Sequence, residues 1–133
     1  MTDETGRSKP PLAGPEWFRF TVRGSSMVIS LDRPAIIGRA PTPPRISTGA
    51  PSRLVRVPSP TAEISSSHLE LRQVGVTVVV TDLRSTNGSV VRMPGQGPLT
   101  IRGGESLVVP AGSLIDIGDD MVVEIVSRPH VSA

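Results

Sequence analysis

The chain has 133 residues, a formal charge of +2, two histidines and no cysteine. That length suits one domain able to bury a core without crosslinks, while the missing cysteines exclude disulfides, thiolate metal ligands and cysteine nucleophiles, and two histidines exclude a His-rich metal site. No stretch approaches the roughly 20 apolar residues of a membrane helix, so the expected setting is cytoplasmic, with no membrane contact and no metal.

In chain order, Met1 to Pro15 combine charge with Pro10, Pro11, Gly14 and Pro15 and lack the apolar core of a signal peptide, which predicts a flexible tail. The folded domain is expected over 16–128, with a short second tail at 129–133. Within it Val, Ile and Leu dominate the apolar set, and Trp17, Phe18 and Phe20 are the only aromatics. Branched aliphatics fit a pleated surface better than a helix. Short segments with alternating or continuous apolar character then follow one another: Trp17 to Arg23, Met27 to Leu31, Ala35 to Gly38, Leu54 to Val57, His68 to Val74 and Val76 to Leu83. They continue with Val90 to Met93, Leu99 to Ile101, Ser106 to Val109, Leu114 to Ile117 and Met121 to Ser127, eleven predicted strands in all.

Glycine, proline, asparagine and aspartate punctuate nearly every gap, at the spacing of about 8 to 12 residues that a sandwich or barrel requires. No window sustains a helical period. Ala40 to Arg53 holds Pro41, Pro43, Pro44 and Pro51 and is expected to be a long irregular loop. Thirteen of the fourteen basic residues are arginine, and from Arg33 to Ala62 there are five arginines and no acid. The planar guanidinium fork suits an anionic partner, although a GC-rich genome would raise arginine in the same way.

Three local features come in a fixed order at predicted strand ends: Gly38-Arg39, Ser65-Ser66-Ser67-His68, and Ser85-Thr86-Asn87-Gly88. Singly each has a plain structural explanation: a turn beside a solvated charge, a polar loop with a core histidine, and the commonest hairpin dipeptide. Together, from about Trp17 to Ser127, they resemble the forkhead-associated (FHA) family, in its bacterial type, whose signature is Gly-Arg, then Ser-x-x-His, then Ser-x-Asn-Gly.

The resemblance implies an all-β sandwich of about eleven strands in two twisted, mainly antiparallel sheets. Its loops at one end would bind phosphothreonine in an extended peptide, without catalysis and without a cofactor. By the same resemblance Arg39 binds the phosphate, Ser65 donates a hydroxyl to it, Asn87 holds the peptide backbone, and Ser66 and Thr86 add polar contacts. Gly38, His68 and Gly88 then support the site, the glycines by close approach and by the turn, the histidine by bracing loops. A phosphate monoester offers three acceptor oxygens and between one and two negative charges near neutral pH, which is what such donors match.

Several positions depart from the family pattern. Ser66 stands where Arg, Lys, Asn or Thr is frequent, which predicts a weaker phosphate grip. The span from Arg39 to Ser65 is extended and carries Arg45 and Arg53 as candidates to supplement the site. Glu63 and Arg84 occupy loops that read the residues after the phosphothreonine.

The expected partners are phosphothreonine-containing proteins written by a Ser/Thr kinase, with the chain as signalling adaptor. The chain's own tail, phosphorylated at Thr5, is a further candidate partner, set against a plain solubilising tail. Three rivals stand beside this reading. A hydrolase could be assembled from Ser65 or Ser67 with His68 and Asp82, but the chain has no nucleophile elbow, and adjacent Ser67 and His68 would face opposite sides of a strand. A nucleic-acid binder would need stacking aromatics at the loops, which are missing. An FHA-like sandwich that has lost phosphopeptide binding, and serves as a structural or oligomerising domain, is the alternative within the family.

Overall fold

A computed structural model describes residues 16–45, 49 and 51–127. The expected tails at 1–15 and 129–133, and Thr5 with them, lie outside the described residues. Eleven strands are present and no helix among these residues: β1 Arg19–Val22, β2 Val28–Ser30, β3 Ala35–Gly38, β4 Arg53–Arg56, β5 Leu69–Val74 and β6 Thr77–Asp82. The remainder are β7 Ser89–Arg92, β8 Leu99–Ile101, β9 Ser106–Val109, β10 Leu114–Gly118 and β11 Met121–Val126. Each coincides with a predicted segment to within a residue or two at its ends.

The strands form a five-stranded sheet in the order β9-β6-β5-β3-β4 and a six-stranded sheet in the order β2-β1-β11-β10-β7-β8. Alternation drives their packing. In β6, Val78, Val80 and Asp82 are buried while their neighbours are partly or wholly exposed, as a strand with one face on a core must be. The two inner faces enclose Phe20, Ile37, Leu69, Leu71, Val80, Ile115, Val123 and Ile125, all fully buried. Each such side chain contributes about 1.5 to 3 kcal/mol of hydrophobic stabilisation, so aliphatic residues suffice here in place of aromatic ones.

All strand pairs are antiparallel except β3 and β4, which run parallel from Ala35↔Arg53 to Gly38↔Arg56. A parallel pair needs a crossover of about a dozen residues, because the chain must return to the end it left. The long proline-bearing stretch between Gly38 and Arg53 supplies that return. The loop is shorter than expected by one residue, since Arg53 opens β4 by donating its N–H to the Pro34 carbonyl at 2.7 Å.

The register also fixes where loops gather. Ile37 lies opposite Leu69, and Leu69 opposite Asp82. The C-terminal ends of β3 and β6 and the N-terminal end of β5 therefore share one end of the sandwich.

Candidate functional site

At that end β3 does not stop cleanly but continues alongside the 64–68 segment. Arg39 N–H donates to the Ser65 carbonyl at 3.2 Å, Ala40 N–H to the Ser66 carbonyl at 3.1 Å, and His68 N–H to the Ile37 carbonyl at 2.9 Å. This close approach explains the residue type at Gly38. A Cβ there would lie 2.0 Å from the Ser66 carbonyl oxygen, so only glycine lets the two segments meet.

Arg39 is exposed, yet its stem is aimed: Nε donates to the Ile64 carbonyl at 2.9 Å. Among the described residues nothing takes up its terminal nitrogens, which leaves that side of the fork for a partner. Ser65 Oγ accepts the Thr86 N–H at 3.0 Å. A hydroxyl that accepts there keeps its own proton free to donate elsewhere. Asn87 is exposed and spends one amide hydrogen on the Glu63 carbonyl at 3.0 Å, keeping its second amide hydrogen and its carbonyl oxygen for other contacts. Ser66 is exposed beside them, while Ser67 Oγ turns back to accept the Thr42 N–H at 3.2 Å. Arg39, Ser65, Ser66, Thr86 and Asn87 are thus brought together by direct bonds between their segments. A hollow of about 410 Å³ lined by Glu63, Asn87, Gly88, Val90, Asp116 and Gly118 lies next to Asn87.

His68 sits beneath this surface and is fully buried. Nδ1 accepts the Ser65 N–H at 3.1 Å, so the ring proton is on Nε2, which donates to the Gly88 carbonyl at 2.9 Å. Both ring nitrogens are committed to backbone, and the ring ties the 65–68 segment to the 85–88 segment. Burial lowers its pKa from the ordinary 6.5, with the Gly88 carbonyl and the Asp82 charge pulling the other way. The Ser, His and Asp of the hydrolase rival do not form a relay, because the serine group facing the ring is the Ser65 amide rather than a hydroxyl.

The sequence signature, the sandwich and this convergence of loops lead to one assignment, and the FHA domain model matches residues 35–118. The chain belongs to the FHA domain family. Solved structures share its fold. The FhaA FHA domain, complexed with the intracellular domain of Rv3910, is 24% identical with a TM-score of 0.56, covering 81% of this chain and 98% of its own. A domain from a study of phosphothreonine-dependent FHA domain interactions is 23% identical with a TM-score of 0.58, covering 86% of this chain and 99% of its own. The human APLF FHA domain, bound to an XRCC1 bisphospho peptide, is 16% identical with a TM-score of 0.61, covering 84% of this chain and 98% of its own. No curated protein sequence matches the chain.

Two supports of this FHA end carry no motif and were not legible as such. Asp82, read from the sequence only as a triad candidate, is fully buried and is the hub of the 83–88 loop. Its Oδ1 accepts the hydroxyls of Ser85 at 2.6 Å and Ser89 at 2.8 Å, and its Oδ2 accepts the N–H groups of Ser85 and Gly103, each at 3.1 Å. Ser85 Oγ in turn accepts the Gly88 N–H at 2.9 Å. Asp119, from the β10–β11 turn, accepts the hydroxyls of Ser59 and Thr61 and the N–H groups of Thr61 and Glu63. Glu63 Oε1 takes the Asp119 N–H at 2.6 Å in return. The hydroxyls of Ser59 and Thr61 hold the Asp119 carboxyl below its usual range.

The structure corrects one candidate and one of the plain structural explanations. Arg53 does not supplement the site: it lies opposite Ala35, at the far end of β4, where its guanidinium pairs with Asp32 at 2.8 Å and holds that carboxyl low. Asn87-Gly88 does not close a hairpin, because β6 and β7 belong to different sheets and the 83–88 loop crosses between them. Only Gly88 has positive φ, at 79°, where a hairpin of type I′ would need both residues there. One carboxylate oxygen of Glu63, Oε1, accepts the Asp119 N–H and ties this exposed side chain to the β10–β11 turn.

Proposed function

We propose that this FHA domain binds phosphothreonine-containing segments of other proteins, as an adaptor downstream of a Ser/Thr kinase in the cytoplasm. The observation that carries the reading is the set of unspent donors at one end: the terminal nitrogens of Arg39, the Ser65 hydroxyl proton and one Asn87 amide hydrogen, each held in place by its other bonds. Arg39 is the phosphate anchor, through charge-assisted bonds worth about 1.5 to 3 kcal/mol each. Ser65 donates to a further phosphate oxygen, with Ser66 and Thr86 at its sides. Asn87 clamps the peptide backbone by offering a donor and an acceptor at once. Gly38, His68 and Gly88 keep the three segments in register.

The neighbours' phosphothreonine-dependent interactions and phosphopeptide complex support carrying this chemistry to the chain. No helix among the described residues is long and apolar enough to cross a membrane. The folded module is read as 16–128.

The test is a titration of one peptide in phosphothreonine, phosphoserine and unmodified forms against the native chain and Arg39→Ala. Phosphothreonine should bind best, and Arg39→Ala should weaken it at least about tenfold, the loss of roughly one charge-assisted bond. Binding should also weaken as salt rises, since exposed charge pairs are screened over a Debye length of about 8 Å near physiological ionic strength. No advantage for phosphothreonine, or an unchanged Arg39→Ala, would remove the reading.

A further inference from the structure

An apolar opening lies on one flank of the sandwich, beside the loop end. There β2 is the last strand of the six-stranded sheet and β4 the last of the five-stranded sheet, and neither has an outer neighbour among the described residues. Between them runs a cleft of about 330 Å³, with Val22, Ile29, Val55, Val57 and Met121 among its lining residues. Met27 and Leu54 line it as well and are unusually open for apolar residues, at 62% and 45% exposure. Arg23 and Arg56 complete the rim, and no acidic residue lines the cleft.

Both edges retain backbone bonding capacity. Arg53 and Val57 turn their N–H groups to β3, reaching the carbonyls of Pro34 and Gly38. By alternation the polar groups of Leu54 and Arg56 point outward, to the open edge. Natural edge strands are normally blunted by charge, bulges or covering segments. Here the edge charges are all of one sign, arginines beside an apolar slot that no other described residue covers, which repels basic segments and receives acidic ones.

The cleft is also continuous with the loop end. Arg56 pairs with Gly38, the residue before Arg39, and Val57 N–H bonds the Gly38 carbonyl at 2.9 Å while Val57 and Pro58 line the cleft. A chain held at Arg39 therefore has the cleft within a few residues' reach.

We infer that the cleft between β2 and β4 is a second contact site for the phosphorylated partner, receiving an extended segment that alternates acidic and apolar residues. The inference rests on the phosphothreonine reading. The apolar side chains enter the slot, the acids meet Arg23 and Arg56, and the segment's backbone pairs with an open edge as an added strand. Two linked contacts bind more tightly than either alone, because the second becomes intramolecular.

The test uses the full chain and four synthetic peptides. One is a phosphothreonine core. Two others carry this core with a flank of alternating aspartate and valine, or of lysine and serine, through a short Gly/Ser linker. The fourth is the acidic-flank peptide without phosphate. The acidic flank should raise core affinity about tenfold or more, and the basic flank should not. Arg56→Glu and Met27→Asp, both at exposed positions, should erase that gain while the bare core binds as before.

With Arg39→Ala, the acidic-flank peptide should still shift the amide resonances of Leu54 and Arg56. If the core binds but the acidic flank adds nothing, or adds a gain that Arg56→Glu and Met27→Asp do not touch, the cleft proposal is overturned and the phosphothreonine reading survives. If the phosphate gives no advantage in any peptide, the phosphothreonine reading itself is lost. Two outcomes would assign the cleft to another occupant and also overturn the proposal: a dimer dispersed by Arg56→Glu, or flank binding tightened when Asp3 and Glu4 are replaced by lysine.

Discussion

Two aspartates hold the loop end in place with the same number of bonds and opposite exposure. Asp82 accepts four hydrogen bonds in full burial, and Asp119 accepts four at the surface of the β10–β11 turn. The bond count is equal, but the consequence of losing it is not. The buried Ser89 hydroxyl on Asp82 would be left without water, whereas the donors around Asp119 would be solvated at once. The comparison teaches that stability at this end comes from beneath the 83–88 loop, while the 59–63 loop is arranged from above at little cost to the fold.

Asp82→Ala tests the first half and should show the largest effect. The buried Ser89 hydroxyl would lose its acceptor inside the protein, at about 1 to 3 kcal/mol, and the half-buried Ser85 and exposed Gly103 groups would lose theirs at a smaller cost each. Chemical denaturation should register a loss of about 4 kcal/mol, and peptide binding should vanish with the loop. A variant within 1 kcal/mol of wild type, on the scale of an ordinary surface change, would mean that the buried network is not the support described.

Gly38→Ala attacks the same end from the opposite side. The new methyl meets backbone rather than a pliable side chain, so the 64–68 segment has to move. A cost of about 3 kcal/mol is expected from such overpacking, together with loss of phosphopeptide affinity. Retained affinity would show that the pairing of Arg39 with Ser65 is dispensable.

Acid provides the third probe. His68 has a folded pKa below its unfolded value of about 6.5, so the unfolded chain takes up the proton first. Its contribution is complete above pH 6.5 and declines as pH falls below it, by at most about 1.4 kcal/mol per pH unit. Denaturation midpoints followed from pH 7.5 to 5 should fall in the native chain along a component that His68→Gln removes.

Asp119→Asn should give the smallest change. Melting temperature should hardly move, while the amides of Thr61 and Glu63 exchange faster and affinity for phosphopeptide drops modestly through the Glu63 carbonyl that holds Asn87. Because the Asp119 pKa is lowered from 3.8, its loop order is complete above that value and is lost as pH falls through the folded pKa. The window is well separated from that of His68, and a single acid titration of amide shifts should resolve the two.

Much of the fold was legible because strands announce themselves locally. The β-branched run from Thr77 to Thr81 and the alternation of Ile115-Asp116-Ile117 are visible within a few residues, and turn residues separate the runs. The candidate site was legible for a different reason, the order of three short motifs. Its supports were not: Asp82 and Asp119 are ordinary acids until the chain is folded, and nothing nearby in sequence states which hydroxyls will reach them.

By itself, the sequence determined the all-β class, the eleven strands and the order of the motif residues at the loop end, since backbone preference and side-chain alternation depend on near neighbours. Tertiary structure alone decided that Arg53 pairs with Asp32, that Asn87-Gly88 crosses between sheets instead of closing a hairpin, and that an apolar cleft lies between β2 and β4. Each of these depends on which strands become neighbours across the sandwich. That choice is made by burying both apolar faces together, a property of the whole chain rather than of any stretch of it.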